Sequence, residues 1–275
     1  MRRSRTRSFG QHFLKDKSVL WKIIEVIAPD EADLIIEIGA GKGALTLPLA
    51  KKAGHVIAVE KDRALIPGLR AQNLKNLTVL EADVLCVDFS VLCRDYAGTG
   101  KKAKLAGNLP YVISAPILFK ILEEKESLSD CVFLLQKEVA ERIRAKPGTK
   151  AYAPISIRLQ NDFSVRLCFT VGPASFSPPP QVQSALVRLE KRDEPLFPVK
   201  RPEAFGRFLK TAFRHRRKTL VNNLLMAGHD RTTLETILGQ LGIAKNRRPE
   251  QVSIPQFVGM FNFFMKNEIM RSWKS

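Results

Sequence analysis

The chain has 275 residues, and its 45 Lys plus Arg outweigh 27 Asp plus Glu for a formal net charge of +18. Hydrophobic residues make up 45 %, which excludes a disordered basic tail and allows one or two domains with real cores. No apolar run approaches the roughly 18–20 residues that span a bilayer, the basic start lacks the apolar stretch of a signal peptide, and Cys86, Cys93, Cys131 and Cys168 show no paired spacing, so a reduced cytoplasmic protein is expected.

In chain order, Asp16 can cap a first helix whose apolar positions Val19, Leu20, Ile23, Ile24 and Ile27 recur with helical period until Pro29. Apolar strand candidates follow at 34–38, 56–59, 77–80, 104–106 and 132–135, separated by helical stretches at 44–52, 64–72, 116–124 and 137–145. Strands apolar on both faces that alternate with helices indicate a parallel sheet covered on both sides. Segments 163–171 and 182–189 alternate more plainly, as an edge hairpin does. Between them, Pro178, Pro179 and Pro180 rule out a regular helix or central strand. A linker at 193–202 leads into helical patterns only, at 205–213, 218–226, 233–241 and 255–266. The expected organisation is an α/β domain over 1–192, with a basic N-terminal arm, and a small all-helical domain over 200–275.

The charge is unevenly placed. Residues 1–15 carry a net +5 and residues 192–275 a net +9, while the 176 residues between them carry only +4. A nearly balanced middle flanked by basic ends points to a polyanionic partner such as nucleic acid rather than to general alkalinity.

At Ile35-Ile36-Glu37-Ile38-Gly39-Ala40-Gly41-Lys42-Gly43 a strand runs into a glycine turn and then a helix. Glycines allow the tight turn and let backbone approach a ligand, so Gly39 and Gly41 are candidate binding positions. Glu60 ends the next strand, where a carboxylate can accept from both ribose hydroxyls, and Asp83 follows the third, placed for the exocyclic amine of an adenine. Read as GxGxxA, the loop suits a nicotinamide dehydrogenase. The GxGxG spacing and the acid two residues before it favour S-adenosylmethionine, hence a methyltransferase.

Gly107-Asn108-Leu109-Pro110-Tyr111 after the fourth strand decides between them. An amine on an adenine ring is a poor nucleophile because its lone pair is delocalised. Two acceptors, the Asn108 side-chain oxygen and the Leu109 carbonyl, can draw it toward tetrahedral geometry. Tyr111 can stack on the base, and Pro110 stiffens the loop.

On these residues the chain resembles the ribosomal RNA adenine N6,N6-dimethyltransferases of the small-subunit branch. The resemblance runs through Phe9-Gly10-Gln11-His12-Phe13-Leu14, the glycine loop, residues 108–111, Leu135-Gln136-Lys137-Glu138-Val139, the block 176–184 and Phe213-Arg214-His215-Arg216-Arg217-Lys218-Thr219. It implies a Rossmann-like class I S-adenosylmethionine-dependent methyltransferase sheet with a C-terminal helical domain. It also implies transfer of four methyl groups, two to each of two neighbouring adenosines near the 3′ end of 16S rRNA. Cofactor contacts carried over by motif position are His12, Leu14, Gly39, Glu60, Asp83 and Asn108. The chain departs from the family at His12 and Val112, where Asn is usual. Two relatives of the same fold stand as alternatives, a large-subunit methylase of the macrolide-resistance type and a non-catalytic ribosome-assembly factor.

The resemblance makes the partner small-subunit rRNA or a 30S pre-ribosomal particle, met by a monomer in the cytoplasm. The target adenosine must leave its stack to react. Phe176 is a candidate second wall for the flipped base, with burial under the proline loop as the competing reading. Arg214, Arg216, Arg217 and Lys218, read as opening a helix, are candidate phosphate contacts.

Overall fold

The computed structural model of the chain describes residues 11–266, so Arg2, Arg3, Arg5 and Arg7 of the basic arm, and Phe9 and Gly10, lie outside the described residues. Its strands are β1 (Phe13–Leu14), β2 (Leu34–Ile38), β3 (His55–Glu60), β4 (Leu77–Glu81), β5 (Ala103–Asn108), β6 (Leu128–Gln136), β7 (Phe163–Val171), β8 (Phe176–Ser177) and β9 (Ser184–Lys191). Helices α1 (Lys17–Ile27), α2 (Thr46–Ala50), α3 (Ile66–Arg70), α4 (Phe89–Ala97), α5 (Ser114–Glu123) and α6 (Lys137–Ile143) alternate with them along the chain. Helices α7 (Pro154–Asp162), α8 (Pro202–Ala212), α9 (Leu220–Met226), α10 (Arg231–Gln240) and α11 (Ile254–Lys266) belong to a second compact unit.

The first unit holds residues 1–140 and 164–191 and the second 141–163 and 192–275. The expected division into 1–192 and 200–275 thus leaves out one excursion. Residues 141–163 go with the helices because Ala145, Tyr152 and Ile157 pack into their core beside Phe208 and Phe213.

In the first unit, all five residues of β2 are buried, as a strand covered on both faces requires. The sheet runs in the order β4-β3-β2-β5-β6-β9-β7. The pairs from β4 across to β6 are parallel, and β9 lies antiparallel against β6. Segments 163–171 and 182–189, expected as an edge pair, do form that edge as β7 and β9. Successive strands step from β2 outward to β4, then return to β5 on the other side of β2. This reversal opens a crevice beyond the carboxyl ends of β2 and β5, where ligands of open α/β sheets bind. Gly107 lets the two strands close up, since a Cβ there would sit 2.5 Å from the Ile38 carbonyl oxygen.

Helix α1 starts where expected, with Asp16 accepting from Ser18 N at 3.0 Å and Val19 N at 3.3 Å, and buries Ile23, Ile24 and Ile27. Helices α4 and α7 fall outside the expected helical stretches. Only Phe89 and Cys93 are buried on α4, one i,i+4 pair, and the Asp88 cap defines the helix more than its apolar face does.

The second unit has an aromatic core. Phe208 meets Phe257, Phe261 and Phe264 with ring centroids 6.3, 5.8 and 6.0 Å away. Among the described residues, no helix is long and apolar enough to cross a membrane.

Candidate active site

The crevice at the strand reversal is a cleft of about 270 Å³ lined by the glycine turn, by Glu60, by residues 108–111 and by residues 11–15. His12, Leu14, Gly39, Gly41, Glu60, Asn108, Leu109, Pro110 and Tyr111 are therefore gathered in one place, although they come from four separate stretches of chain.

Backbone geometry forms its floor. Gly39, Gly41 and Gly43 have φ of +71°, +58° and +84°, a region that costs other residues steric strain. A Cβ on Gly41 would stand 3.3 Å from the Phe13 ring. Glu60 pins this turn: Oε2 accepts from Gly41 N at 2.8 Å, while Oε1 accepts from Lys61 N at 2.9 Å and Asp62 N at 2.8 Å. A carboxylate offers about four lone-pair sites, so backbone takes three and one remains for a ligand hydroxyl.

Glu37, at the cleft wall, is 2 % exposed. Burial, with a smaller push from the Glu60 charge, raises its carboxyl pKa to about 8. The Thr46 hydroxyl nearby pulls the other way, yet neither Glu37 Oε2 nor Thr46 Oγ1 meets a partner at hydrogen-bonding distance. An orphaned buried acceptor facing a cleft is what a ligand bearing an ammonium or sulfonium charge would complete.

The 108–111 loop is held on every side. Leu109 N donates to Leu134 O at 3.1 Å, and Pro110 O accepts from Ile113 N at 3.1 Å and Ser114 Oγ at 3.2 Å. Asn108 Nδ2 donates to the His12 carbonyl at 2.8 Å. A carbonyl only accepts, so the amide must turn its nitrogen to His12, which leaves Oδ1 as the acceptor on the other side. By the same logic His12 Nδ1, 2.8 Å from the Pro178 carbonyl, carries a proton. The His12 ring lies 5.4 Å from that of Tyr111, and Tyr111 Oη shares a 2.9 Å hydrogen bond with Ser184 Oγ. Ser184 is fully buried at the start of β9. It belongs to a motif quoted above, yet as a site residue it went unread because 73 residues separate it from its partner. Val112, in contrast, is 83 % exposed and has no part in the cleft wall.

Two expected contacts differ. Asp83 is not in the cleft lining. Its Oδ1 accepts from Leu85 N at 3.0 Å and its Oδ2 pairs with Lys61 Nζ at 2.7 Å, a hydrogen bond that is the main reason its pKa falls below the usual carboxylate range. Register brings the pair near, because Glu60 and Glu81 face each other and Lys61 and Asp83 lie one and two residues beyond them. Phe176 is 1 % exposed and packs with Ile23, Ile24 and Leu186, so the stacking wall expected there is corrected to a core position. In β8 alternate side chains face opposite ways, and it is Ser177 that lines the cleft.

In the second unit, the basic run does not open a helix. Thr219 accepts from Asn222 N at 3.2 Å and caps α9, so Arg214, Arg216, Arg217 and Lys218 occupy the exposed connection before it. Buried Asn223 shapes that connection, accepting from His215 N at 2.9 Å and donating to His215 O at 3.1 Å. Arg216 donates to the carbonyls of Lys150 and Tyr152. Lys218 Nζ leans on the Met226 sulfur at 3.3 Å.

A family model described as ribosomal RNA adenine dimethylase matches residues 2–266. The ribosomal RNA small subunit methyltransferase A of Xylella fastidiosa (strain 9a5c) is 42 % identical over 258 residues, covering 93 % of this chain and 94 % of the relative. That of Shewanella oneidensis is 44 % identical over 260 residues, covering 93 % of each. Among solved structures, a dimethyladenosine transferase from Plasmodium falciparum aligns with a TM-score of 0.79 at 26 % identity, covering 94 % of this chain and 98 % of the other. The 23S rRNA methyltransferase ErmE aligns with a TM-score of 0.70 at 24 % identity over 91 % of this chain and 98 % of its own, a likeness of fold alone.

Proposed function

Because the chain belongs to the ribosomal RNA adenine dimethylase family, we propose that it dimethylates the N6 amines of two adjacent adenosines near the 3′ end of 16S rRNA, using S-adenosylmethionine. The observation that carries this reading is the fixed orientation of Asn108, whose Nδ2 is taken by the His12 carbonyl and whose Oδ1 is left to accept.

The cleft suits the cofactor, with a turn carrying glycine at 39, 41 and 43, a buried acceptor without a partner at Glu37, and one open lone pair on Glu60. When bound, S-adenosylmethionine supplies an electrophilic methyl carbon on a positive sulfur. The glycine turn, His12 and Leu14 would hold the cofactor in the cleft. Asp83, paired with Lys61 and outside the cleft lining, would have to exchange that partner to help hold it. Asn108 Oδ1 and the Leu109 carbonyl accept from the target amine and turn its lone pair toward the methyl carbon. With its lone pair so directed, the amine nitrogen would be the nucleophile toward the methyl carbon that the bound cofactor supplies. The proton on the resulting cationic nitrogen would pass to solvent afterwards, so no tuned general base is needed. Tyr111, held by Ser184 and backed by the His12 ring, stacks on the base and keeps the amine in line.

Arg214, Arg216, Arg217 and Lys218 would bind phosphate, and the finer setting we infer is a cytoplasmic monomer acting on a 30S pre-ribosomal particle. The test is incubation with labelled S-adenosylmethionine and unmethylated small subunits, followed by mapping of modified nucleotides. Label on two neighbouring adenosines near the 3′ end is expected. Label on large-subunit RNA, or none, would overturn the reading.

A further inference from the structure

Among the described residues, a hollow outside the cleft combines aromatic and basic surface. Trp21 is 56 % exposed on α1, off the face that buries Ile23, Ile24 and Ile27. A lone exposed aromatic needs no explanation. This one, however, walls a hollow of about 280 Å³ together with Lys42, Leu47, Pro48 and Lys51. Lys17 sits four residues before Trp21, hence beside it on the helix surface, and is exposed along with Lys22 and Lys52. Glu25 is the one acidic residue of α1. The hollow adjoins the active-site cleft, with Lys42 and Ala44 lining both.

An indole face beside an apolar wall, rimmed by lysines, matches the way proteins hold unpaired nucleotides: bases stack on aromatics while cations track the phosphates. An acidic peptide would account for the lysines but would make no use of the flat exposed ring. We propose that the hollow at Trp21 binds an unpaired nucleotide of the substrate RNA, its base on the indole and its flanking phosphates on Lys42 and Lys51. The inference rests on the RNA-methylating reading and adds a second point of attachment, next to the cleft, that a strand entering the cleft can reach.

Trp21 and Trp273 are the two tryptophans of the chain. In a Trp273→Phe background, a small-subunit rRNA fragment spanning the target adenosines should quench Trp21 fluorescence with the same midpoint as binding. Trp21→Ala should raise the Kd of that fragment about 10-fold, Trp21→Phe should restore much of the loss, and Lys51→Ala should reduce the salt slope by about one. The affinity for S-adenosylhomocysteine and the melting temperature should stay at wild-type values. Binding of the fragment without quenching, or with wild-type affinity in Trp21→Ala, overturns the nucleotide site while wild-type methylation leaves the main reading standing. A Trp21→Ala defect seen on intact small subunits but not on naked RNA also overturns it, in favour of a protein occupant. A wild-type protein that methylates neither this fragment nor unmethylated small subunits overturns both.

Discussion

The active-site cleft and the basic connection before α9 are built on opposite plans. In the cleft, Asn108, Tyr111, His12 and Glu60 each have a fixed partner at 2.8–2.9 Å, so that the acceptors stand ready before any substrate arrives. In the connection, backbone is shaped by Asn223, but Arg214 and Arg217 extend into solvent. Chemistry on a weak nucleophile depends on angles and on sub-ångström placement, whereas attraction for a polyanion depends on charge within about a Debye length and tolerates loose side chains. One molecule thus divides precision from grip, and variants on each side should fail in different observables.

The largest effect expected is on folding. Phe176→Ala should lower stability by about 3–5 kcal/mol in denaturant titration, because the ring fills a core with little room to collapse. A loss under about 1 kcal/mol would return Phe176 to the surface role first considered for it. Next comes Asn108→Ala, for which methyl transfer should drop on the order of 10²–10³-fold, with RNA affinity kept. If RNA affinity falls in parallel with turnover, precision and grip are not separate here.

Glu37 tests the cleft by pH. Its folded pKa of about 8 lies above the ordinary 4.5, so the folded chain keeps a proton that the unfolded chain releases in between. Stability from this group is complete below pH 4.5 and declines as pH rises to about 8, by at most about 1.4 kcal/mol per pH unit. Glu37→Gln should remove that slope from the stability curve, and a variant with the wild-type slope would mean the carboxyl is ionised throughout. A cationic ligand should also bind wild type more tightly as pH approaches 8, with the trend lost in the variant.

Ser184→Ala should cost about 10-fold in turnover through loss of one hydrogen bond to Tyr111, and should add little once Tyr111 is changed to Phe. Full additivity would separate the two residues. The mildest change belongs to the connection. Arg214→Ala with Arg217→Ala should reduce the slope of log K against log salt for RNA by about two and leave cofactor affinity intact. Arg216 is a poorer choice for that test, because its guanidinium is engaged by the Lys150 and Tyr152 carbonyls.

What was legible in the sequence was whatever lay within a few covalent neighbours. The glycine turn and residues 108–111 were readable because strand, loop and chemistry follow each other directly. The alternation of strand and helix placed the crevice without coordinates. Ser184 was beyond reach because its meaning comes from a partner far along the chain. Phe176 was ambiguous because a strand of two residues has no periodicity from which to choose a face. The start of α9 was readable in principle, since Thr219 is a ready capping residue directly after the charge run.

The strap at residues 12–14 has a thermodynamic consequence. β1 pairs with β8 through Phe13↔Ser177 and Leu14↔Phe176, and the residue just before it orients Asn108 by its main-chain carbonyl. Docking of the strap and alignment of the catalytic amide are therefore one equilibrium. Opening of the strap would take the His12 carbonyl away from Asn108 Nδ2 and free the amide to turn. Loss of protection at the Lys15 amide, which donates to Ser175 O at 2.9 Å, would report that opening long before the protein unfolds.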